Sequence, residues 1–260
     1  MDEQILKNIL FSHSFSKEVE SGSFYSHHHL FYELLFIVSG SGLFLIEDTA
    51  YEFSGSTVIV VPPQRYHVLK IPPQHDYERY VVHFPPELLP PPLRTEEPVV
   101  RQADEDMLAL FERSERGSRL YGSEVLRILQ GALILEAMVA LTGGGEQNVP
   151  ATEAMPPLVQ SAVRYICSHL DSPLDSSVIA KELYVSKTYL SHLFAKTMNI
   201  SLMRYVRLKK MYRAREYLRR GMPVMRVAYL LGYDSYPTFL RNYRAEFGDL
   251  PSQLLPSEKN

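Results

Sequence analysis

Between residues 158 and 260 the sequence repeats itself, and this repeat restricts the fold more than any other feature. The segment IAKELYVSKTYLSHLFAKTMN (179–199) matches VAYLLGYDSYPTFLRNYRAEFG (227–248) at its small and apolar positions, with an offset of 48 that becomes 49 in the turn. Each copy predicts a helix, a tight turn and a second helix. Apolar periodicity predicts six helices in all, over 158–170, 176–183, 187–198, 202–219, 224–231 and 236–247.

The second helix of each copy has one apolar side and one polar or cationic side. Ser186 and Ser235 suit the N-caps, because a serine hydroxyl accepts from a backbone N–H that has no helical partner. In the first copy, a step of 100° per residue leaves Thr188, His192 and Ala195 facing outward, flanked by Ser191 and Lys196, with Lys187 at the start of the helix. In the second copy it exposes Pro237, Thr238, Arg241 and Arg244. Such helices fit the major groove of DNA, where early residues reach base edges and later cations meet phosphates.

Charge is divided unevenly along the chain. Residues 158–260 carry 16 Lys and Arg against 8 Asp and Glu, a net +8, which leaves −11 for residues 1–157. A basic half joined to an acidic half indicates that one part meets a polyanion and the other does not. Duplex DNA is the predicted partner of the basic half.

The last hundred residues resemble the DNA-binding domain of the AraC/XylS family of bacterial transcription regulators. The resemblance is carried by IAKELYVSKTYLSHLFAK, by KMYRAREYL and by VAYLLGYDSYPTFLRNYRAEFGDLP, in which Gly248 and Pro251 form the family's closing signature. It implies two helix-turn-helix units held by a connecting helix. Carried over residue by residue, it implies base reading by Thr188, Ser191 and His192 in the first unit and by Tyr236, Pro237 and Leu240 in the second, with Lys196 and Arg241 nearer the phosphates.

Three residues depart from the family pattern. Lys210 replaces the usual Arg of the connecting helix, Asn199 the usual Gly after the first unit, and Tyr233 the usual Phe before the second turn. Asn tolerates a left-handed backbone, whereas Lys for Arg loses any bidentate pairing.

Residues 1–141 predict a different architecture. Short runs rich in Val, Ile, Phe and Tyr alternate with turn residues, in the order ELLFIVSG, GLFLIED, TVIVVPP, RYHVLKI and YERYVVHF. This pattern is typical of an antiparallel barrel or jelly roll. Two helices follow, at 104–117 and 123–141, and the segment 142–157, rich in Gly and Pro, is the predicted linker. The predicted fold is therefore α+β and multidomain, with a cupin-like barrel before an all-α domain at 158–260.

The helix at 123–141 has large apolar residues on both faces, so it is either a core helix on its own barrel or the contact of a homodimer. Its most apolar part, 125–141, contains Arg127, Gln130 and Glu136 and is shorter than the roughly 20 residues of a membrane span. The N-terminus lacks the pattern of a signal peptide, and Cys167 is the single cysteine. We expect a cytoplasmic protein without membrane contact and a passive thiol at Cys167.

The barrel sequence contains His27, His29 and Glu33 in the order H-x-H-x-x-x-E, followed by His67. This arrangement resembles the two motifs of the cupin barrel, whose metal-binding members use three His and one Glu. Three interpretations stay open: a divalent metal bound by these four residues, a metal-free pocket for a sugar-like effector, and structural histidines. Arg79 and Tyr80 are further effector-binding candidates, with Tyr66, Tyr77 and His83.

The function that these patterns favour is a sequence-specific transcription regulator controlled by an effector in the barrel, with RNA polymerase as a possible partner. One alternative is a metal-dependent cupin enzyme with accessory helices, and another is a non-specific, chromatin-like DNA binder. The sequence has no Ser-His-Asp, Cys-His or phosphate-loop signature, and we therefore expect no enzyme activity.

Overall fold

The computed structural model describes residues 2–19, the backbone of 24–27, and residues 29–143 and 149–254. The chain forms two compact units, Met1–Ala154 and Met155–Asn260. The division lies inside the segment predicted as a linker. The backbone N–H groups of Val149 and Thr152 donate to the carbonyls of Val100 and Ala50, so this part of the segment packs on the first unit.

The first unit contains two antiparallel sheets preceded by a short helix, α1 (Glu3–Leu6). One sheet has the strand order β1-β8-β3-β6-β9 and the other the order β2-β7-β4-β5. The strands are β1 (Leu10–Ser16), β2 (Phe24–His27), β3 (Tyr32–Ser39), β4 (Ser41–Ile46), β5 (Thr49–Ser54), β6 (Thr57–Val61), β7 (His67–Lys70), β8 (Tyr77–Phe84) and β9 (Val99–Gln102). This arrangement confirms the predicted antiparallel fold and adds β1, β2, β5 and β9, which the sequence patterns did not show.

The central strands of the five-stranded sheet, β3 and β6, are buried on both faces because two different layers cover them. Leu35 and Ile37 of β3 face the second sheet, where they pack with Phe44 and Leu69 to fill the barrel. Alternate residues point to the opposite face, and those of β3 and β8 pack there against the helices that follow the barrel. A shift of one residue along β8 therefore moves a side chain from the barrel interior to the helix layer.

Two helices, α2 (Glu105–Leu120) and α3 (Ser123–Gly143), cover the outer face of that sheet. At 21 residues, α3 is longer than expected, and by length and hydropathy alone it could cross a membrane. Its inner side nevertheless belongs to the core of the first unit through Leu133, Ile134 and Met138. The buried Gln130 amide also donates to the Ser114 hydroxyl of α2, so α3 is a packed helix of this unit.

The second unit is helical throughout its described residues up to the short turn Pro251–Leu254. Its helices are α4 (Pro157–Ser168), α5 (Ser176–Glu182), α6 (Lys187–Met198), α7 (Leu202–Arg219), α8 (Val224–Leu230) and α9 (Tyr236–Phe247). The six predicted helices are confirmed, and only the ends of α4, α5 and α8 differ, by one or two residues. Cys167 is half-buried in α4, with its sulfur 3.8 Å from the Tyr205 hydroxyl oxygen.

Candidate functional site

Helix α6 presents the first candidate DNA-reading face. The Ser186 hydroxyl accepts from the Tyr189 backbone N–H at 3.2 Å, which confirms the predicted N-cap. Leu190 and Phe194 are fully buried and pack α6 against the rest of the helical domain. The side opposite them is open, with Lys187, Thr188, His192 and Lys196 exposed and Ser191 half-buried. Asn199 ends the helix in the left-handed conformation, at φ 55°, as expected.

Two exposed tyrosines, one in α6 and one in the turn before it, were not among the predicted site residues. Tyr189 is 56% exposed in the first turn of α6, and Tyr184, in the turn before the helix, is 95% exposed. Tyr184 also has a left-handed backbone, at φ 56°, which is uncommon for a residue other than glycine. The only signal in the sequence is its position between two predicted helices, where a large aromatic residue has no core to enter.

Helix α9 presents the corresponding face of the second copy. The Ser235 hydroxyl accepts from the Thr238 backbone N–H at 3.4 Å and lies 3.2 Å from the Thr238 hydroxyl, so the second predicted N-cap is also confirmed. Pro237, Arg241 and Arg244 are exposed and Thr238 is half-buried.

The resemblance implied base reading by Tyr236 and Leu240 of α9, which are less exposed than Pro237, Arg241 and Arg244. Both are half-buried and pack against the apolar cluster of α7, α8 and α9. The cationic pair Arg241 and Arg244 therefore dominates the exposed face.

The connecting helix α7 joins the two helix-turn-helix units through one buried cation. Lys210 Nζ donates to the Ser172 carbonyl, before α5, and to the Leu231 carbonyl, at the end of α8, at 2.7 Å each. Burial lowers the pKa of Lys210 to about 8. Two carbonyl acceptors, one from each unit, thus take the place of the bidentate partner expected for an arginine.

Close backbone contact supports this junction. Gly232 has φ 70°, and a Cβ atom there would lie 2.6 Å from Pro173 N and 2.8 Å from the Ser172 carbonyl carbon. Only glycine combines this conformation with so close an approach. The turn of the second helix-turn-helix therefore packs directly on the loop that precedes α5.

The barrel of the first unit contains a cavity of about 300 Å³. Apolar side chains from both sheets form its walls, and a smaller set of polar groups faces into it. The lining residues are Ser12, Glu33, Leu35, Phe44, His67, Leu69, Arg79, Val81 and His83.

Three imidazoles converge on one carboxylate oxygen at this cavity. Glu33 Oε2 lies 2.8 Å from His83 Nε2, 3.0 Å from His29 Nε2 and 3.5 Å from His67 Nε2. The strand register accounts for the shortest contact, because Glu33 of β3 and His83 of β8 are directly opposite each other. Burial by itself would raise the pKa of Glu33, but its contacts with His29, His67 and His83 hold the pKa of the carboxyl well below its ordinary value.

The structure thus brings together His29, Glu33, His67 and Arg79 of the candidate set. It adds His83, which the sequence placed only among further candidates; with His29 and Glu33 it forms a group that could hold a metal ion. The side chain of His27 lies outside the described residues.

The expectation that Tyr80 lines this cavity is wrong. Tyr80 points to the opposite face of β8, into the core under the helices, where its hydroxyl donates to Glu115 Oε2 at 2.9 Å. Its ring stacks on His13 with centroids 4.0 Å apart. The other two tyrosine candidates, Tyr66 and Tyr77, are fully buried.

Both units match known protein families. The family profile described as an AraC-like ligand binding domain matches residues 18–130, and a helix-turn-helix domain profile matches residues 179–256. The regulatory protein SoxS of Salmonella typhimurium is 35% identical over 96 residues, which are 36% of this chain and 90% of that protein. The chain belongs to the AraC family of transcription regulators.

One relative is similar over most of the chain. YfiF of Bacillus subtilis, an HTH-type transcriptional regulator, is 23% identical over 246 residues, which are 86% of this chain and 76% of that protein. The crystal structure of ToxT from Vibrio cholerae matches 95% of this chain and 96% of the ToxT chain, at 13% sequence identity and a TM-score of 0.38. This similarity is too low to support a functional argument. This AraC-family protein is thus a transcriptional regulator with a ligand-binding and a DNA-binding domain, and its relatives are regulators rather than enzymes.

Proposed function

We propose that this regulator reads a specific DNA sequence with α6 and α9, and that a small molecule in the barrel cavity controls its occupancy of DNA. The observation that carries the proposal is the duplicated recognition helix. Both helices begin at a serine cap and both expose a polar or cationic face. Lys210 donates hydrogen bonds to both helix-turn-helix units and so connects them. A single exposed polar helix would be an ordinary solvated surface, whereas two held in one unit match the two successive major grooves of a duplex.

The cavity supports a sugar-like effector. Its volume of about 300 Å³ is at the lower end of the range for small-molecule pockets. Ser12, Arg79 and the His–Glu cluster offer hydrogen-bond donors and acceptors within apolar walls, which suits a polyol or a small hydroxy acid. A coupling free energy of about 1 to 3 kcal/mol between the two sites is enough to change DNA affinity roughly 5- to 150-fold.

We also propose a homodimer formed through α3. The outer side of this helix carries apolar residues at alternating spacings of three and four, the pattern of a coiled-coil seam. Ile128 is 54% exposed, although it is large and apolar, and so is Val139. The stripe comprises Val125, Ile128, Ala132, Leu135 and Val139. In the dimer, the same stripe of a second copy of α3 covers these residues. The dimer acts in the cytoplasm. RNA polymerase is the partner through which its binding to DNA affects transcription.

Selection of bound sequences from a random DNA pool tests this proposal. We expect the full-length protein to enrich a motif of two half-sites centred about 10 base pairs apart, as two recognition helices on one face of a duplex require. Repeating the selection with candidate sugars should change the yield of bound DNA without changing the motif. Enrichment of no motif in the presence of bulk competitor DNA would contradict sequence-specific reading and favour a non-specific binder.

A further inference from the structure

We infer that the barrel cavity binds one divalent transition-metal ion of the zinc type through His29, Glu33, His67 and His83. The inference deepens the proposed effector site, since it concerns the same cavity, and it assigns to β8 a ligand that the sequence motif did not include. It does not depend on the DNA-binding half of the proposal.

The hydrogen bonds of two histidines determine which ring nitrogen carries the proton. His29 Nδ1 lies 2.8 Å from the Phe31 carbonyl oxygen, and His67 Nδ1 lies 3.0 Å from the Arg65 carbonyl oxygen. A carbonyl oxygen only accepts, so Nδ1–H is the donor in both contacts. In a neutral imidazole the Nε2 atom then has a lone pair and no proton. Histidines that bind a metal are held in this way by a backbone carbonyl behind the ring.

Both lone pairs point to the same carboxylate. Glu33 Oε2 lies 3.0 Å from His29 Nε2 and 3.5 Å from His67 Nε2. Without a metal ion these contacts are hydrogen bonds only if each imidazole carries a second proton, on Nε2, and so becomes a cation; with neutral rings, two acceptors face a third and repel it. A single divalent cation satisfies all the acceptors at once without placing two or more extra charged rings in a buried site.

The spacing and the ligand types fit a first-row divalent ion. Ligands at about 2.0 to 2.2 Å from a tetrahedral zinc ion are about 3.3 Å apart, and the distances from Glu33 Oε2 to the three Nε2 atoms are 2.8, 3.0 and 3.5 Å. One ligand atom from each of His29, Glu33 and His83 lies within 4.8 Å of the other two. Imidazole with carboxylate suits zinc, nickel or iron better than magnesium or calcium, which prefer oxygen ligands.

The strand register explains why His83 belongs to the set. It stands directly across from Glu33 on the neighbouring strand, and alternate positions of β8 place Arg79 and Val81 on the same side. The His83 side chain is 31% exposed whereas that of His67 is 1% exposed. The metal would therefore be enclosed on the side of His67 and accessible on the side of His83, where a donor atom of an effector can reach it.

Metal titration of the intact, tag-free protein tests the inference directly. After removal of metal by a chelator, the protein is titrated with Zn²⁺ against a chromophoric competitor. We expect one equivalent to bind, and His83→Ala to weaken the affinity by at least about tenfold, in line with loss of a ligand or its close support. His75→Ala is the matched control, because His75 is exposed and its ring contacts only the Pro73 carbonyl among the described hydrogen bonds; the zinc affinity of this variant should equal that of the wild type.

X-ray absorption of the zinc-loaded wild type gives a readout that does not depend on a variant folding. Scattering from three imidazole rings supports the assignment, and two rings or fewer would overturn it. Absence of stoichiometric binding, or equal affinity of wild type and a folded His83→Ala variant, would also overturn it. Selection of DNA sequences by the same preparation separates the two proposals: a recovered motif without metal binding rejects only the metal site, and metal binding without a motif rejects only the DNA reading.

Discussion

Lys210 Nζ donates to the Leu231 carbonyl at 2.7 Å and so joins the middle of α7 to the end of α8. The same nitrogen donates to the Ser172 carbonyl in the other helix-turn-helix unit. Because one ammonium group is hydrogen-bonded to both helix-turn-helix units, the distance between α6 and α9 is fixed in the protein without DNA. An interface that is arranged in advance costs less ordering on binding.

The stability of this junction should depend on alkaline pH. Burial lowers the pKa of Lys210 from 10.5 to about 8, so between these values the unfolded chain binds more protons and the folded state gains stability as the pH rises. Relative to Lys210→Met, the free energy of unfolding of the wild type should rise by up to roughly 1.4 kcal/mol per pH unit between about pH 8 and 10. Denaturant unfolding followed by circular dichroism measures this, and a constant difference would show that the pKa is not lowered.

Gly232→Ala should be strongly destabilising. The added methyl group would meet Pro173 N at 2.6 Å in a left-handed backbone, so both strain and a backbone clash oppose it. Gly221→Ala is the matched control, since Gly221 has φ 81° with nothing within 4 Å of its Cβ position. In thermal or denaturant unfolding, the free energy of unfolding of Gly232→Ala should be at least about 2 kcal/mol lower than that of the control. Equal free energies of unfolding for the two variants would mean that the turn of the second helix-turn-helix does not pack on the Ser172–Pro173 loop.

Arg241→Ala should weaken binding to all DNA sequences by a similar factor. Arg241 is exposed on α9 beyond the first turn, where a cation meets phosphate rather than a base edge. The slope of log affinity against log salt concentration should fall by about 1. Arg116→Ala removes the same charge from an exposed position of α2 in the other unit and should leave the slope unchanged. A wild-type slope for Arg241→Ala would remove this residue from the interface.

Ile128→Asp should shift the protein from dimer to monomer. Two copies of α3 would bring an aspartate from each chain into an apolar seam, where unpaired charge is costly. Sedimentation at micromolar concentration measures the assembly state. Leu10→Asp serves as the control, because Leu10 is an exposed apolar residue of β1 outside the stripe, and it should remain dimeric. A monomeric wild type would reject the proposed contact altogether.

The helical unit could be predicted almost completely from the sequence. Its helices have a clear apolar period, and Ser186, Ser235 and Asn199 mark their ends by local hydrogen bonding and backbone conformation. Local rules of this kind act over a few residues and can be seen without a three-dimensional structure. The turn of the first helix-turn-helix is the exception, since nothing in the sequence predicts that Tyr184 has a left-handed backbone and an exposed side chain.

The barrel was less predictable because strand pairing is a long-range property. The central strands were found, whereas β1 was missed because LFSHSFS mixes polar residues into an exposed edge strand. Spacing in the motif identified His29, Glu33 and His67. It could not choose between Tyr80 and His83, because only the register of β8 against β3 decides which alternate residues face the barrel.

Binding-site selection repeated with His192→Ala and with Arg241→Ala tests most directly whether the two repeats read DNA as a pair. We expect each variant to recover a motif with the wild-type spacing of about 10 base pairs. His192→Ala should lose sequence preference in one half-site only, whereas Arg241→Ala should lose overall affinity with both half-sites retained. Loss of preference in both half-sites with His192→Ala, or a wild-type motif confined to one half-site, would contradict two separate recognition helices.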